Sequence, residues 1–225
     1  MEYKILVKFP SRERPHKFFL CIKKYIDNQT TNNVRYLITL DNNDPLNLAY
    51  RNYCETLKSQ GVNIEYVVGD SLGKIDAVNR DMPESSGWDI VVLASDDMQC
   101  QVQGWDAIIQ NEMFDYCQDT DGVLFHKDGY TQLNTMCIIG RKYFDRFGYI
   151  YQPDYISLWA DNEFMEVSRL LNKEYVFEQV LFRHEHFSNS GSYAHTKDVL
   201  MRKNESYYYQ DEATFKRRKQ INFGL

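Results

Sequence analysis

The sequence predicts an α/β fold built on a mostly parallel sheet. Four apolar, β-branched segments occur in its first half, and each is followed by a segment whose apolar residues repeat at helical spacing. Such an alternation of strands and helices is typical of a doubly wound sheet with helices on both faces. With 225 residues, of which 43% are hydrophobic, the chain is long enough to bury a sizeable core as one domain.

The first strand and helix are predicted over residues 3–9 and 17–28. The turn between them carries Ser11, Arg12 and Arg14. Guanidinium groups and free backbone N–H groups meet at such a helix start, and both bind phosphate. This segment predicts either a phosphate or nucleotide site or a solvated loop, and it does not decide between them.

The second strand and helix are predicted over residues 33–40 and 46–60. Asp41 follows the strand directly. An acid at the carboxyl end of the second strand is well placed to accept hydrogen bonds from a base or a ribose. The alternative is ordinary turn chemistry, because Asp, Asn and Pro all favour turns.

The third strand is predicted over residues 63–68 and its helix over residues 75–82. Between them, Gly73 permits a close backbone approach, and Lys74 stands at the helix start. A cation is unfavourable near the positive end of a helix dipole. Lys74 is therefore expected to face an anion.

The fourth strand is predicted over residues 90–94 and leads into Asp96 and Asp97, before a helix over residues 105–114. Two adjacent carboxylates cost free energy unless a cation, hydrogen-bond donors or water offset their repulsion. The pair is therefore either a metal site or a solvated turn. Because the carboxyl ends of parallel strands meet at one edge, these acids are expected to lie near the polar residues that follow the first three strands.

The second half of the chain is predicted to hold three more strands, a run of helical segments and two alternating histidines. His184 and His186 would face the same side of a strand, where they could share an ion or lie partly buried. The strands are expected over residues 122–126, 132–140 and 175–181, and the helices over residues 141–147, from about 162 to 172, and around the basic cluster at 216–219.

Composition argues against several classes of protein. The formal net charge of −6 gives no general attraction to nucleic acid or to anionic membranes. Five cysteines without a CxxC spacing argue against a disulfide framework and a structural zinc site, and predict small core residues instead. Without an apolar leader or a run of about 18 apolar residues, a cytoplasmic protein with no integral membrane segment is expected.

The order of these motifs resembles that of an inverting, family-2-like glycosyltransferase of the GT-A fold, over roughly residues 3–187. In one respect the chain departs from the family pattern, because Ala94 stands in the first acidic position of the metal-binding Asp-x-Asp. The matching segments are Ser-Arg-Glu-Arg-Pro at 11–15, Asp41, Gly-Lys-Ile-Asp-Ala-Val-Asn at 73–79, Ser-Asp-Asp at 95–97, Ala-Asp-Asn-Glu-Phe at 160–164 and His-Glu-His at 184–186.

The resemblance implies a Rossmann-type α/β/α sandwich forming a single domain over residues 1–225. Residues 1–100 would be the nucleotide-sugar-binding half, and residues 101–225 the acceptor-binding half with a basic C-terminal tail. The donor would be a UDP- or GDP-sugar, and the cofactor Mn²⁺ or Mg²⁺. The acceptor stays open among a glycan, a protein, a small molecule and a modified nucleic acid.

The resemblance also implies roles for individual residues. Asp161 would be the catalytic base, with Glu163 as the alternative, although an Asp at this position is often simply a helix cap. The metal ligands would be Asp97, with the adjacent Asp96 as the alternative acid, and His186 or His184. The nucleotide sugar would be bound by Ser11, Arg12, Arg14, Asp41, Lys74, Asn79 and Asp96.

Two other functions are compatible with this pattern. A nucleotidyltransferase also uses an Asp at a strand end with a metal, but its glycine-rich signature after the first strand is absent from residues 11–15. A non-catalytic nucleotide-sugar or carbohydrate-binding protein of the same fold is the other alternative, because Ala94 replaces the first acid of the metal motif.

Overall fold

The computed structural model describes residues 2–83, 87–185 and 198–225. These residues form a seven-stranded sheet, a separate two-stranded sheet and eight α-helices, and the chain closes in a 3₁₀ turn over Asn222–Gly224. The strands are β1 (Ile5–Ser11), β2 (Val34–Asp41), β3 (Ile64–Gly69), β4 (Ile90–Leu93), β5 (Met98–Cys100), β6 (Val123–His126), β7 (Ile138–Gly140), β8 (Glu174–Phe177) and β9 (Phe182–His184).

The helices alternate with the strands through the first half and dominate the end of the chain. They are α1 (Pro15–Asp27), α2 (Asn47–Ser59), α3 (Lys74–Asn79), α4 (Trp105–Tyr116), α5 (Arg141–Phe147), α6 (Ala160–Leu170), α7 (Val199–Glu205) and α8 (Tyr208–Gln220). Within the described ranges, none of them is both long enough and apolar enough to cross a membrane.

The large sheet is mostly parallel and has the strand order β3-β2-β1-β4-β7-β6-β8. Strands β3, β2, β1 and β4 run parallel, whereas β7 is antiparallel to both β4 and β6. The chain moves outward from β1 to β3 and then returns to the other side of β1 with β4. This reversal is a topological switch point, which in open α/β sheets opens a crevice at the carboxyl ends of the strands.

Two apolar cores lie on opposite faces of this sheet. Helices α1, α2 and α4 contribute to the core on one face, and α3, α5, α6 and α8 contribute to the core on the other. Side chains of β1 alternate between the faces, since Ile5 and Val7 belong to the first core and Leu6 to the second. All five cysteines are free and buried, as expected of small core residues. The α/β/α sandwich expected from the sequence is confirmed.

Some predicted boundaries are wrong. Only Ile138–Gly140 of the predicted strand 132–140 pairs with the sheet, because the carboxylate of Asp128 binds the backbone of the preceding segment in a turn. Of the predicted strand 175–181, residues 175–177 belong to β8, which ends at Phe177. The next strand, β9, begins only at Phe182 and pairs with β5. Helix α3 ends at Asn79 rather than at residue 82, because Arg80 has an extended backbone conformation.

The basic cluster at residues 216–219 lies within helix α8, and its charges are paired. Lys216, Arg217 and Lys219 are exposed and each contacts an acidic side chain, whereas Arg218 is buried. A cluster whose charges are matched in this way offers little net positive field to a phosphate backbone. The acidic partners are Glu212, Asp154, Glu166 and, for Arg218, Glu163.

Candidate functional site

Two groups of polar side chains lie at the switch point, where the carboxyl ends of the parallel strands meet. The first, here called the Asp41 group, consists of Arg12, Asp41, Ser71 and Arg80 and lies at the ends of β1, β2 and β3. The second, the Asp97 group, consists of Arg14, Asp96, Asp97 and His184 and lies where β1 and β4 end. The strand ends therefore meet as the sequence predicts.

In the Asp41 group, the Asp41 carboxylate is surrounded by donors. Its Oδ2 accepts a hydrogen bond from Arg12 Nη1 at 3.0 Å, and its Oδ1 accepts one from the Ser71 hydroxyl at 2.5 Å. Arg80 donates from Nε to Ser71 Oγ at 2.8 Å, and its Nη2 lies 3.5 Å from Asp41 Oδ1. The guanidinium groups of Arg12 and Arg80 thus flank the Asp41 carboxylate. Their mutual contacts fix the positions of all three side chains at this edge of the sheet.

A fully buried lysine supports Arg80 from within the sheet. Lys8 on β1 donates from Nζ to the Thr39 hydroxyl and, at 2.5 Å, to the carbonyl of Arg80. The Thr39 hydroxyl in turn donates to Asp81 Oδ2 at 3.0 Å, and Arg80 Nη1 donates to the same oxygen at 3.0 Å. The position of Arg80 therefore depends on a network that reaches into the core.

The buried Lys8 predicts a pH dependence of stability. Burial lowers its pKa to about 7, although the charge of Asp81 opposes this shift. Between that value and the ordinary lysine pKa of about 10.4, the unfolded chain binds more protons at this residue than the folded chain, so stability rises with pH. The contribution of Lys8 to the free energy of unfolding is least favourable below its folded-state pKa, where the buried side chain is charged.

We therefore expect the protein to gain free energy of unfolding relative to its Lys8→Met variant as the pH is raised from about 7 to about 10. Urea unfolding of both proteins across this range measures the difference, and the comparison cancels groups that titrate equally in both. If the difference in free energy of unfolding between the two proteins stayed constant across this pH range, Lys8 would be charged in the folded protein.

The Asp97 group holds its two carboxylates in different surroundings. Asp96 Oδ1 lies 3.4 Å from Arg14 Nη1. Asp97 accepts a hydrogen bond from the Ser95 hydroxyl, and its Oδ2 lies 3.6 Å from Nε2 of His184. The adjacent acids therefore face different cations, which offsets the repulsion between them.

These surroundings move the pKa values of the two acids in opposite directions. Burial and the neighbouring Asp97 charge raise the pKa of Asp96, and Arg14 reverses only part of this effect. Burial also raises the pKa of Asp97, but the contact with His184 and the Ser95 hydroxyl lower it well below the usual range. Asp97 is therefore the more persistently ionised member of the pair, which suits a metal ligand.

His184 lies between two carboxylates. Its Nε2 faces Asp97, and its Nδ1 lies 3.5 Å from Asp128 Oδ2. Burial alone would lower the pKa of His184, but the two carboxylates raise it to about 9. With no metal ion bound, the ring is an imidazolium at neutral pH and balances the charges on either side.

Arg14 links this group to the C-terminal helices. Its Nη2 donates to Asp198 Oδ1 at 2.7 Å, and the same oxygen accepts from the backbone N–H of Met201 at the start of α7. One arginine is thus shared between Asp96 at the end of β4 and the cap of α7, so the beginning of α7 is tied to the site.

Lys74 and Asp161 interact electrostatically with each other and with the Asp97 group. Lys74, the first residue of α3, is exposed, and its charge lowers the pKa of Asp97 and of Asp161. His184 acts on Asp161 in the same direction. Burial has the largest effect on Asp161, and its net pKa is raised. The expectation that Lys74 faces an anion is therefore consistent with its surroundings.

Asp161 is not the cap of helix α6. The N-cap position belongs to Trp159, which has the left-handed φ of 65°, and no side chain caps this end. Asp161 Oδ1 accepts the backbone N–H of the next residue, Asn162, at 3.0 Å. The carboxylate is therefore not needed for the capping role that an Asp often has at a helix start.

The backbone of the loop before α6 is fixed on two sides, by Asp211 of α8 and by Gly73 before α3. Asp211 of α8 is fully buried, and its carboxylate accepts the backbone N–H groups of residues 156–158 at 2.8–3.0 Å. On the other side, a Cβ added to Gly73 would lie 2.7 Å from the carbonyl oxygen of Ile156. The close backbone approach expected at Gly73 is thus confirmed.

Three of the expected site residues have structural partners away from the two groups. Glu163 is buried and binds Arg218 through both carboxylate oxygens, and Asn79 binds the backbone of residues 150–151. The Ser11 hydroxyl lies 3.3 Å from that of Tyr50. A Glu163 held in this way is not available as a base. His186 lies outside the described residues.

The donor set suits a divalent cation. Asp97 offers an ionised carboxylate and His184 a ring nitrogen 3.6 Å away, with Asp96 adjacent. Within the described ranges, no three His, Cys, Asp or Glu side chains form a complete metal site. A cation that binds together with phosphates needs only one or two carboxylates from the protein. The residues present therefore fit Mn²⁺ or Mg²⁺ bound jointly with a phosphorylated ligand.

Several residues of the site are not identified by sequence reasoning. Arg80 directly follows the Gly-Lys-Ile-Asp-Ala-Val-Asn segment, so its position in the chain offered a signal. Asp128, Asp198 and Asp211 offered none, because each meets its partner in another element across 53 residues or more. A local pattern does not report such contacts.

Comparison with protein-family models and with curated protein sequences finds no match. Among solved structures, the mannosyltransferase PcManGT from Pyrobaculum calidifontis, in complex with GDP-Man and Mn²⁺, is similar, with a TM-score of 0.65 and 13% identity. The similarity covers 82% of this chain and 57% of PcManGT.

S. aureus TarS, residues 1–349, is also similar in two crystal structures. The complex with UDP has a TM-score of 0.63 and 12% identity, covering 80% of this chain and 60% of that one. The complex with UDP-GlcNAc has a TM-score of 0.63 and 14% identity, covering 85% and 62%. The chain thus spans about three-fifths of the structures it matches, and it has the GT-A-like fold.

Proposed function

We propose that this protein is a metal-dependent glycosyltransferase, which transfers a sugar from a UDP- or GDP-sugar to an acceptor hydroxyl with inversion. The observation that carries the proposal is the meeting of Asp96, Asp97, Arg14 and His184 at the switch point, where the charge of Lys74 also acts on Asp97 and on Asp161. The similar structures bind nucleotide sugars, but they extend beyond the length of this chain, so its substrates are part of the proposal.

The Asp41 group would bind the nucleoside of the donor. Asp41 can accept hydrogen bonds from a base or a ribose, and Arg12 and Arg80 can donate to carbonyl or hydroxyl oxygens. Since these three side chains already hold one another, they are preorganised for such a ligand.

Arg14 and Lys74 would bind the diphosphate. Both are cations that face the acidic pair at the end of β4, and a guanidinium matches two phosphate oxygens at once. Asp97, with Asp96 beside it and His184 opposite, would hold Mn²⁺ or Mg²⁺. When bound, this cation would act as a Lewis acid that stabilises negative charge on the departing diphosphate.

Asp161 would act as the general base. Its carboxylate would take the proton of the acceptor hydroxyl while the acceptor oxygen forms a bond to the anomeric carbon. The bond from that carbon to the diphosphate oxygen breaks on the opposite face, so the nucleoside diphosphate leaves and the configuration inverts. The raised pKa of Asp161 favours this role, because a more basic carboxylate accepts a proton more readily.

Nucleotide binding tests the proposal directly. In calorimetry with UDP and with GDP, we expect binding that is stronger when Mn²⁺ is present, and release of nucleoside diphosphate from the matching nucleotide sugar. Asp97→Asn should weaken the Mn²⁺-dependent binding by at least about tenfold, since it removes a charged ligand. Asp96→Asn, measured in parallel, identifies which acid contributes more.

Asp27→Asn is the matched control. Asp27 is an exposed acid at the far end of α1, paired only with Lys23 among its described partners, and its replacement should leave nucleotide affinity unchanged. If neither nucleotide binds in the presence of Mn²⁺, the glycosyltransferase proposal fails. Mn²⁺-dependent binding without turnover across a broad screen of acceptors would instead favour a non-catalytic binding protein.

A further inference from the structure

The segment between β6 and β7 folds around a single buried carboxylate. Asp128 is 1% exposed, and its Oδ1 accepts the backbone N–H groups of Tyr130 and Thr131 at 2.8 and 2.7 Å. Its Oδ2 accepts the hydroxyls of Thr131 and Thr135 at 2.9 and 3.0 Å. Four hydrogen-bond donors of its own turn thus hold the Asp128 carboxylate, in addition to its contact with His184.

The same Oδ2 of Asp128 lies 3.5 Å from Nδ1 of His184. The other ring nitrogen, Nε2, lies 3.6 Å from Asp97 Oδ2, so the imidazole is placed between the two acids. Backbone bonds fix this arrangement as well, because the N–H of His184 donates to the carbonyl of Asp128 and that of Glu185 to the carbonyl of Asp97. His184 is thereby fixed between β5 and the Asp128 turn.

We propose that Asp128 is a positioning residue, which orients the His184 ring so that Nε2 is presented to a divalent cation held by Asp97. The inference rests on the proposed function, which supplies the cation. A histidine binds metal through one ring nitrogen, while a carboxylate at the other nitrogen fixes its rotation and its tautomer. Asp128 has the position and the rigidity that this role requires.

The alternative is that Asp128 only stabilises its own turn. Asp128→Asn tests this alternative when it is compared with Thr135→Val. Asparagine has nearly the same size and its carbonyl oxygen can still accept the two backbone N–H groups, although the hydroxyls of Thr131 and Thr135 lose their acceptor. Its amide NH₂ then occupies the position of Oδ2 and faces His184. An amide donor at Nδ1 favours the tautomer with the proton on Nε2, and this tautomer cannot bind a metal through Nε2.

Mn²⁺ alone is the probe, and its affinity for the full chain is measured by the loss of the electron paramagnetic resonance signal of free Mn²⁺. We expect Asp128→Asn to raise the dissociation constant by about 10- to 100-fold. His184→Gln should cause a similar loss, and the double variant should lose little more, because both changes remove the same interaction. If Asp128 acted only within its turn, the effects of Asp128→Asn and His184→Gln on Mn²⁺ affinity would not be coupled in this way.

Thr135→Val is the matched control. It removes a hydroxyl that donates to the same oxygen of Asp128 but leaves the carboxylate facing His184. We expect its Mn²⁺ affinity to stay within about threefold of the wild-type value, whatever it does to stability. Thermal unfolding of each variant establishes that it is folded before its affinity is compared.

The outcomes separate this inference from the proposed function. If the wild-type chain binds Mn²⁺ and Asp128→Asn binds it equally well, the positioning role is wrong while the metal site stands. Additive losses in the double variant also overturn the positioning role. If the wild-type chain does not bind Mn²⁺ at all, the metal-dependent function itself fails, and the inference fails with it.

Discussion

Replacement of Arg218 by methionine is expected to lower the free energy of unfolding by about 3–5 kcal/mol. Arg218 is buried, and its Nε and Nη2 donate to both carboxylate oxygens of Glu163 at 2.8–2.9 Å. Glu163 also accepts the Tyr155 hydroxyl at 2.7 Å. The variant would leave a buried carboxylate without its cation, and urea unfolding measures the loss.

The neighbouring Arg217 provides the control. Its side chain is 60% exposed and contacts an exposed acid, Asp154, so Arg217→Met should cost no more than about 1 kcal/mol. In addition, a double variant with Glu163→Met and Arg218→Met should recover most of the lost stability, because it removes both buried charges. Equal losses for Arg217→Met and Arg218→Met would contradict the importance of the buried pair.

Replacement of Asp161 by asparagine is expected to lower the turnover rate of the proposed sugar transfer by about 10²- to 10⁴-fold. Asparagine keeps the size of the side chain and can still accept the backbone N–H of Asn162, but it cannot accept a proton. Donor affinity should change by less than about threefold, because Asp161 is not among the residues proposed to bind the nucleotide or the cation. Steady-state kinetics and calorimetry with UDP or GDP distinguish these two effects.

Glu166→Gln is a suitable control for Asp161, because Glu166 belongs to the same helix and is paired with the exposed Lys219. Its turnover should match that of the wild-type protein within about twofold. A rate above a tenth of wild type for Asp161→Asn would exclude Asp161 as the base. A true base also predicts an acidic limb in the pH–rate profile above the ordinary Asp pKa, because the pKa of Asp161 is raised.

The sequence predicts the first half of the fold well, because each strand there is apolar, is bounded by turn residues and is followed by a helix with one apolar face. The same rules place Asp41 and the Asp96–Asp97 pair at one edge, since parallel strands carry their carboxyl ends together. Local patterns are sufficient for these features because the alternation itself determines the topology.

The remainder depends on contacts between distant parts of the chain. Strands β5 and β9 have three residues each and pair across more than 80 positions, so neither shows a periodic signal. The basic cluster of α8 has the sequence pattern of an exposed run of charges. Arg218 is nevertheless buried, because it pairs with Glu163, which is 55 residues away. Likewise, strand alternation places Lys8 on a face of the sheet without revealing that the loop carrying Arg80 covers it.

The contact between Gly73 and Ile156 changes how one motif is to be understood. In sequence, Gly73 before Lys74 permits a close approach to the backbone without indicating which group makes it. In the structure, the space beside this glycine is filled by Ile156 in the loop before α6, whose backbone Asp211 binds. A side chain at this position would therefore displace the loop before α6 from the start of α3.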